Sequence, residues 1–160
     1  MGKRTIVTSV AATAAALVTV GGVSIAHADV TPGAGFTQTV EAEDDGIPGN
    51  GAHTVDCGFC SGGARVAGLG GHDNGVITFY VWIPEEADYT VTVYYVSGAT
   101  RALSVNGKRL TGLNSGGWDK VAKRSVKVHL KERFGRAAEI DLGYDTHSRA
   151  VDVDKVVIRS

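Results

Sequence analysis

The sequence has little that would make it helical, membrane-spanning or enzymatic. No segment sustains the three-and-four spacing of an amphipathic helix, and at most one helical turn fits, over residues 131–138. The apolar run near the start is broken by Thr, Ser and Gly, which is unsuitable for a transmembrane span. No G-x-S-x-G or H-E-x-x-H occurs, so the commonest nucleophile and metalloprotease arrangements are absent. There is no surplus of base: 16 Lys and Arg face 17 Asp and Glu, and the basic residues are scattered along the chain. Nucleic acid and anionic membranes are therefore not expected partners. Only two cysteines are present.

The first segment reads as an export signal. Lys3 and Arg4 precede an Ala- and Val-rich run, and Ala26-His27-Ala28 is a small-x-small cleavage site. Residues 1–28 are expected to be removed and the protein secreted. Residues 29–160 remain as one domain of 132 residues, enough for one core. Its 14 bases against 17 acids leave a charge of −3 with His neutral.

The stretch that demands an explanation is Val40-Glu41-Ala42-Glu43-Asp44-Asp45. Four carboxylates in five positions repel one another unless something positive neutralises them. If the run begins as a strand, alternation puts Glu41 and Glu43 on one face. Two carboxylates without a basic neighbour suit a hard cation held by oxygen, calcium above all. Asp152-Val153-Asp154-Lys155, near the other end, offers a partner. The first and last strands are then expected to meet at this site. The competing reading is a solvated acidic turn.

Cys57-Gly58-Phe59-Cys60 has the C-x-x-C spacing of redox and zinc motifs. Ser61-Gly62-Gly63 follows where a redox motif needs a helix, and the histidines are too dispersed to complete a zinc site. In an exported chain a local disulfide is the better reading.

Everything after Asp29 signals β-structure. Strands are expected at 36–42, 66–69, 76–83, 89–96, 102–105, 108–113, 125–130, 137–142 and 151–158. Asn106-Gly107 supplies the favoured hairpin turn. Residues 44–63 read as one long connection. Short strands separated by Gly-rich turns indicate an all-β sandwich or barrel.

Several of these pieces occur together in a recognisable order: Val40-Glu41-Ala42-Glu43, Cys60-Ser61-Gly62-Gly63-Ala64-Arg65-Val66, Ile83-Pro84 with Tyr89-Thr90-Val91, Val105-Asn106-Gly107, Gly117-Trp118-Asp119, and Val151-Asp152-Val153-Asp154. Over essentially the whole of residues 29–160 the chain resembles a carbohydrate-binding module of the family 35 type, close to family 6. The resemblance implies a β-sandwich of jelly-roll type, a structural calcium, and a sugar site in the loops at one end. It implies a non-catalytic role, often beside a glycoside hydrolase. No hydrolase is expected within this chain, so it would act as a monomer alongside separately secreted enzymes.

Carried over by position, the implied metal ligands are Glu41, Glu43, the main-chain carbonyl near Arg65, and the carboxylate of Asp154. The implied sugar contacts are Trp118, for stacking, and Asp152, for hydroxyls. Asn114 and Ser115 precede Trp118 on the same expected loop. His147 and Arg149 lie in another loop expected near the site, where Arg149 suits the carboxylate of a uronic acid. One departure stands out. Many family members carry a second aromatic where this chain has Gly68, and His72, Asp73 and Asn74 are the nearest polar substitutes in sequence.

Physically, a pyranose packs its apolar face on an aromatic ring while its hydroxyls bond to planar polar groups around the rim. Trp118 lies among Ser115-Gly116-Gly117 and Asp119-Lys120, a setting that favours exposure over a core role. Tyr80, Trp82 and Tyr89 lie in apolar runs and read as core or sheet-face residues. Tyr94 and Tyr95 must point to opposite faces. The expected ligand is a plant or microbial polysaccharide or oligosaccharide. The alternative is a secreted sandwich that binds protein and no sugar. A glycosidase is disfavoured because its two carboxylates need a cleft, usually on a larger scaffold, and the best acidic pair here is assigned to metal.

The leader makes a direct prediction. N-terminal sequencing of exported protein should start at Asp29, and recovery of Met1 would refute the assignment.

Overall fold

The computed structural model describes residues 35–133, 135–143 and 147–160. The expected leader and the Asp29 start lie outside these residues, as do Asp145 and Thr146 of the expected Arg149 loop. Among these residues eleven strands make two antiparallel sheets. They are β1 (Thr37–Glu41), β2 (Gly46–Gly49), β3 (His53–Asp56), β4 (Ala64–Ala67), β5 (Val76–Trp82), β6 (Ala87–Ser97), β7 (Arg101–Val105), β8 (Lys108–Leu113), β9 (Gly117–Leu130), β10 (Ala137–Leu142) and β11 (Asp152–Arg159). One sheet runs β3-β4-β11-β6-β9, with β1 also paired to β11, and the other runs β2-β5-β10-β7-β8. The architecture is the expected jelly-roll β-sandwich.

Alternation builds the core between the sheets. Tyr89, Val91, Val93 and Tyr95 on β6, Ile77, Phe79 and Val81 on β5, and Ala138, Ile140 and Leu142 on β10 all point inward and are buried. Each large side chain removed from water in this way contributes about 1.5–3 kcal/mol. The β7–β8 hairpin closes on Asn106 and Gly107, both at positive φ (45° and 77°), the conformation that this turn dipeptide favours.

Several sequence expectations are revised. The first strand stops at Glu41, and residues Ala42–Asp45 form one helical turn, α1, with Ala42 fully buried. Glu41 and Glu43 therefore do not share a strand face. The stretch 44–63 is not one loop, since it contains β2, β3 and a 3-10 turn over Ser61–Gly63. The β9 strand begins eight residues earlier than expected, which puts Trp118 on a strand and not in a loop. No helical turn forms among the described residues of 131–138. Tyr80 and Trp82 lie on the outward face of β5, 49% and 37% exposed, while Tyr89 is wholly buried. Tyr94 and Tyr95 do point to opposite sides, and only Tyr95 enters the core.

Two longer-range features position the candidate sites. Strand β1 pairs antiparallel with β11, Glu41 opposite Lys155 and Thr37 opposite Arg159. The β11 ladder to β6 is irregular between Val153 and Lys155, which lifts Asp154 out of the regular alternation. Cys57 and Cys60 are disulfide-bonded, with Cα atoms 5.3 Å apart, at the base of the 3-10 turn. No helix among the described residues is long and apolar enough to cross a membrane.

Candidate functional site

Two groups of side chains converge on the β1–β11 sheet. The first is acidic. Glu41 ends β1, Glu43 sits in α1, and Asp154 occupies the irregularity in β11. Asp154 is 2% exposed. Ser61 Oγ donates to Glu41 Oε1 at 2.9 Å, and Lys155 Nζ donates to Ser61 Oγ at 2.8 Å. Four further oxygens are buried with no hydrogen-bond donor: Glu41 Oε2, both Glu43 Oε atoms, and Asp154 Oδ1. Such oxygens are costly to leave unanswered. Burial pushes the Asp154 carboxyl up to about 6; the Ser61 amide and Lys155 oppose the rise, and Glu41 and Glu43 add to it. Burial also raises Glu43; the nearby backbone amides of Glu43 and Ala64 oppose the rise, and repulsion from Glu41 and Asp44 adds to it.

This donor set suits a hard cation. It is all oxygen and negative in excess, and four of its oxygens have no hydrogen-bond donor. Gly62 leaves the space beside it open, since a Cβ there would lie 2.1 Å from Glu43 Oε1. Among the described residues no three Asp, Glu, His or Cys side chains form a finished metal cage. The fit is thus one of donor chemistry and not of a formed coordination geometry. Arg65 begins one residue into β4, just after the 3-10 turn, and its side chain turns away to the second group.

That second group lines an open cleft of about 350 Å³, formed by His53, Val55, Arg65, Ala67, Arg101, Trp118, Arg149 and Asp152. Trp118 is 46% exposed. Its pyrrole side rests on the backbone at Gly98, where a Cβ would lie 2.5 Å from the ring, so only glycine admits this packing. The Arg101 guanidinium lies 4.8 Å from the Trp118 ring centroid, within cation–π range. Its Nη1 donates to the Ala150 carbonyl at 2.8 Å. Burial lowers the Arg101 pKa and Arg149 adds repulsion, with Asp152 opposing both. Asp152 is almost buried, and Arg65 Nε donates to its Oδ2 at 3.0 Å. Three guanidiniums therefore face one carboxylate, which is already engaged. The basic residues that look scattered in sequence are gathered here by the fold.

Among the residues singled out from sequence, Trp118, Asp152 and Arg149 share this cleft. Asn114 and His147 are exposed but do not line it. Asn114 Oδ1 instead accepts from the Gly116 N–H at 2.7 Å, shaping the turn before Trp118. His72, Asp73 and Asn74 do not line it either. Gly68 adopts φ 77°, and a Cβ there would lie 2.5 Å from the Gly51 carbonyl oxygen. An aromatic cannot occupy this backbone. His53 takes the neighbouring space, its Nδ1–H donating to that same carbonyl at 2.9 Å. Arg101 and His53 were not apparent from sequence. Arg101 lies next to an apolar strand run and His53 in a stretch read as loop, and only the strand pairing brings them to Trp118.

Solved structures share this arrangement of sheets. A family 35 carbohydrate-binding module from Clostridium thermocellum superposes with a TM-score of 0.67 at 25% identity, covering 77% of this chain and 98% of that one. The fold is that of a family 35 carbohydrate-binding module, related to family 6. The family 6 relation is seen in the C-terminal family 6 module of a marine laminarinase from Zobellia galactanivorans, with TM-score 0.60, 17% identity, and coverage of 78% of this chain and 100% of that module. An exo-β-1,3-galactanase from Phanerochaete chrysosporium also superposes, with TM-score 0.65 at 26% identity over 76% of this chain. The match spans only 29% of that enzyme. No family model and no curated protein matches the sequence.

The acidic group generates a pH prediction. The folded-state pKa of Asp154, about 6, lies above its ordinary value of 3.8. The native state therefore binds the proton more tightly than the unfolded chain. With divalent ions chelated, this contribution to stability is full below about pH 4, and it is lost as pH rises through 6. Thermal melts in chelator should show that decline, and Asp154→Asn should flatten it and raise Tm at pH 8. An unchanged profile in the variant would show that Asp154 is not the group responsible.

Proposed function

We propose that this chain is a secreted, non-catalytic module that binds an acidic polysaccharide of plant or microbial origin in the Trp118 cleft and is stabilised by calcium. The observation that carries the reading is the half-exposed indole of Trp118 standing among Arg65, Arg101 and Arg149 with only Asp152 to oppose them. An indole offers a flat apolar surface for a sugar ring. Arg101 and Arg149, whose mutual repulsion goes unanswered by a free acid, offer planar donors to a uronic carboxylate. The sandwich modules with the same fold support carbohydrate as the ligand class. The non-catalytic reading is supported by the fold, which is shared over 98% of a family 35 carbohydrate-binding module.

Calcium would be held by Glu41, Glu43 and Asp154, where it supplies the positive charge that the orphaned oxygens lack. It would bond the end of β1 to the irregularity of β11.

A shallow, open site with one aromatic surface binds weakly, with Kd roughly micromolar to millimolar. In affinity electrophoresis Trp118→Ala should weaken retention on an acidic polysaccharide about tenfold or more, with Tm unchanged. Arg149→Gln should reduce binding to the acidic polymer while sparing a neutral one. Equal retention of Trp118→Ala and the native protein would dismiss the cleft as the sugar site. Calcium should raise Tm through binding the native state alone. That rise should be absent in an Asp154→Ala, Glu43→Ala double variant, and a native protein indifferent to calcium would remove the metal from the account.

A further inference from the structure

The outward face of the β1-β11-β6-β9 sheet carries a second concentration of positive charge, none of it from the residues that line the cleft. Strand register lays it out as a grid. One row across the sheet is Thr37, Arg159, Thr90 and Lys127. The next is Thr39, Val157, Thr92 and Ser125. The third is Glu41, Lys155, Tyr94 and Lys123. Cross-strand partners share a face, and the intervening residues Val91, Val93 and Tyr95 are in the core, so these rows point outward. Contacts agree with this layout: Thr92 Oγ1 and Ser125 Oγ are hydrogen-bonded at 2.8 Å, and the Lys155 and Lys123 ammonium groups lie 5.4 and 5.9 Å from the Tyr94 ring centroid.

Four cations thus mark the corners of a rectangle. Their backbones are about 13 Å apart along the strands and about 10 Å apart across them. The centre is Thr90, Thr92, Ser125, Tyr94 and the edge of Val157, a surface of hydroxyls and one ring. Lys155 is already tied to Ser61 and the acidic cluster. Among the described residues no carboxylate pairs with Lys123, Lys127 or Arg159. Glu41 is the one acid in the grid, and its carboxylate belongs to the cluster. Asp88, in the adjoining row, is hydrogen-bonded to His129. Three exposed cations therefore remain uncompensated around a neutral, hydroxyl-bearing strip, on a domain whose 29–160 segment is negative overall.

We propose that this face is a second binding surface, taking a linear anionic polysaccharide laid flat across the strands. Carboxylates along the polymer meet Lys123, Lys127 and Arg159, while its hydroxyls meet the Thr and Ser strip. Charge complementarity selects an anion, and the shape selects the polymer. The exposed large apolar residues, Ile47, Phe59, Tyr80, Trp82 and Trp118, all lie outside this grid, which has no large apolar side chain to enter a bilayer. A flat sheet face has no element to seat in a duplex groove. Tyr94, half-buried between two lysines, gives no open platform for stacking bases. The surface differs from the Trp118 cleft in its residues and in its physics: exposed charges act over a distance, so salt weakens this binding more than stacking in the cleft.

The test uses polygalacturonate and its fully methyl-esterified form as probes, with the exported chain and two variants. Lys123→Gln, Lys127→Gln and Arg159→Gln are combined in one, and Trp118→Ala is the other. At low salt the triple variant should bind polygalacturonate on the order of tenfold more weakly, since each exposed charge contact is modest. Its Tm should be unchanged, and its binding to the esterified polymer should match that of the native chain. Trp118→Ala should keep a salt-sensitive component of polygalacturonate binding, which the four substitutions together should remove. Native-like binding by the triple variant overturns the proposal. So does a loss as large for the esterified polymer, or preferential native binding to phosphatidylserine vesicles or duplex DNA over polygalacturonate at equal charge. Failure of the cleft reading would show instead as an undiminished Trp118→Ala, whatever the triple variant does.

Discussion

The antiparallel pairing of β1 with β11 is the constraint on which the rest depends. It brings the two ends of the domain into one sheet and sets Glu41 and Glu43 beside Asp154. The same strand, β11, then borders β4 at one end and β6 along its length, so Asp152 enters the cleft two residues before Asp154 enters the acidic cluster. Successive polar positions of a single strand serve two different sites because an irregular step in the ladder separates them. In an unbroken strand, Asp152 and Asp154 would face the same way. The irregularity lets one pair with Arg65 while the other is buried among Glu41 and Glu43.

Electrostatics divides the surface accordingly. Negative charge is concentrated and buried at the α1–β11 junction, whereas Arg65, Arg101 and Arg149 line an open cleft, with Arg149 the exposed one. Buried carboxylates without donors destabilise the fold in proportion to their ionisation, which is why the cluster governs stability. An exposed guanidinium such as that of Arg149 costs little when unoccupied and favours an anion when it arrives, which is why the cleft governs recognition.

Much of the fold was legible in the sequence because the strands alternate cleanly. The period-two run of Tyr89 to Val96 and the Asn106-Gly107 turn each carry their own local instruction. The misread segments are those in which tertiary contacts override local pattern. Glu41-Ala42-Glu43 alternates like a strand, but the chain turns into α1 at Ala42, whose burial fits either conformation. Gly46-Ile47-Pro48-Gly49 has almost no strand propensity of its own and becomes β2 by pairing with β5, while β3 is too short to stand out and is fixed by pairing with β4. The site was legible in part for the same reason. Trp118 stands out in its polar, Gly-rich surroundings and Asp154 in its acidic context, whereas Arg101 and His53 are defined by what they approach across the sheet. Gly68 is visible in sequence as a missing aromatic, but only its left-handed backbone against Gly51 explains why glycine is there.

The closure of β1 on β11 also has a temporal side. Thr37 and Arg159 are partners at opposite ends of the domain, so the strand synthesised first can be paired only after the strand synthesised last has appeared. At ordinary elongation rates that wait is on the order of ten seconds, far longer than hairpin formation. During it, Glu41 and Glu43 are present without Asp154, and the edge of β1 has no partner. A nascent or truncated chain is thus distinguishable from a finished one by the acidic cluster alone, which exists only when both ends of the domain are in place.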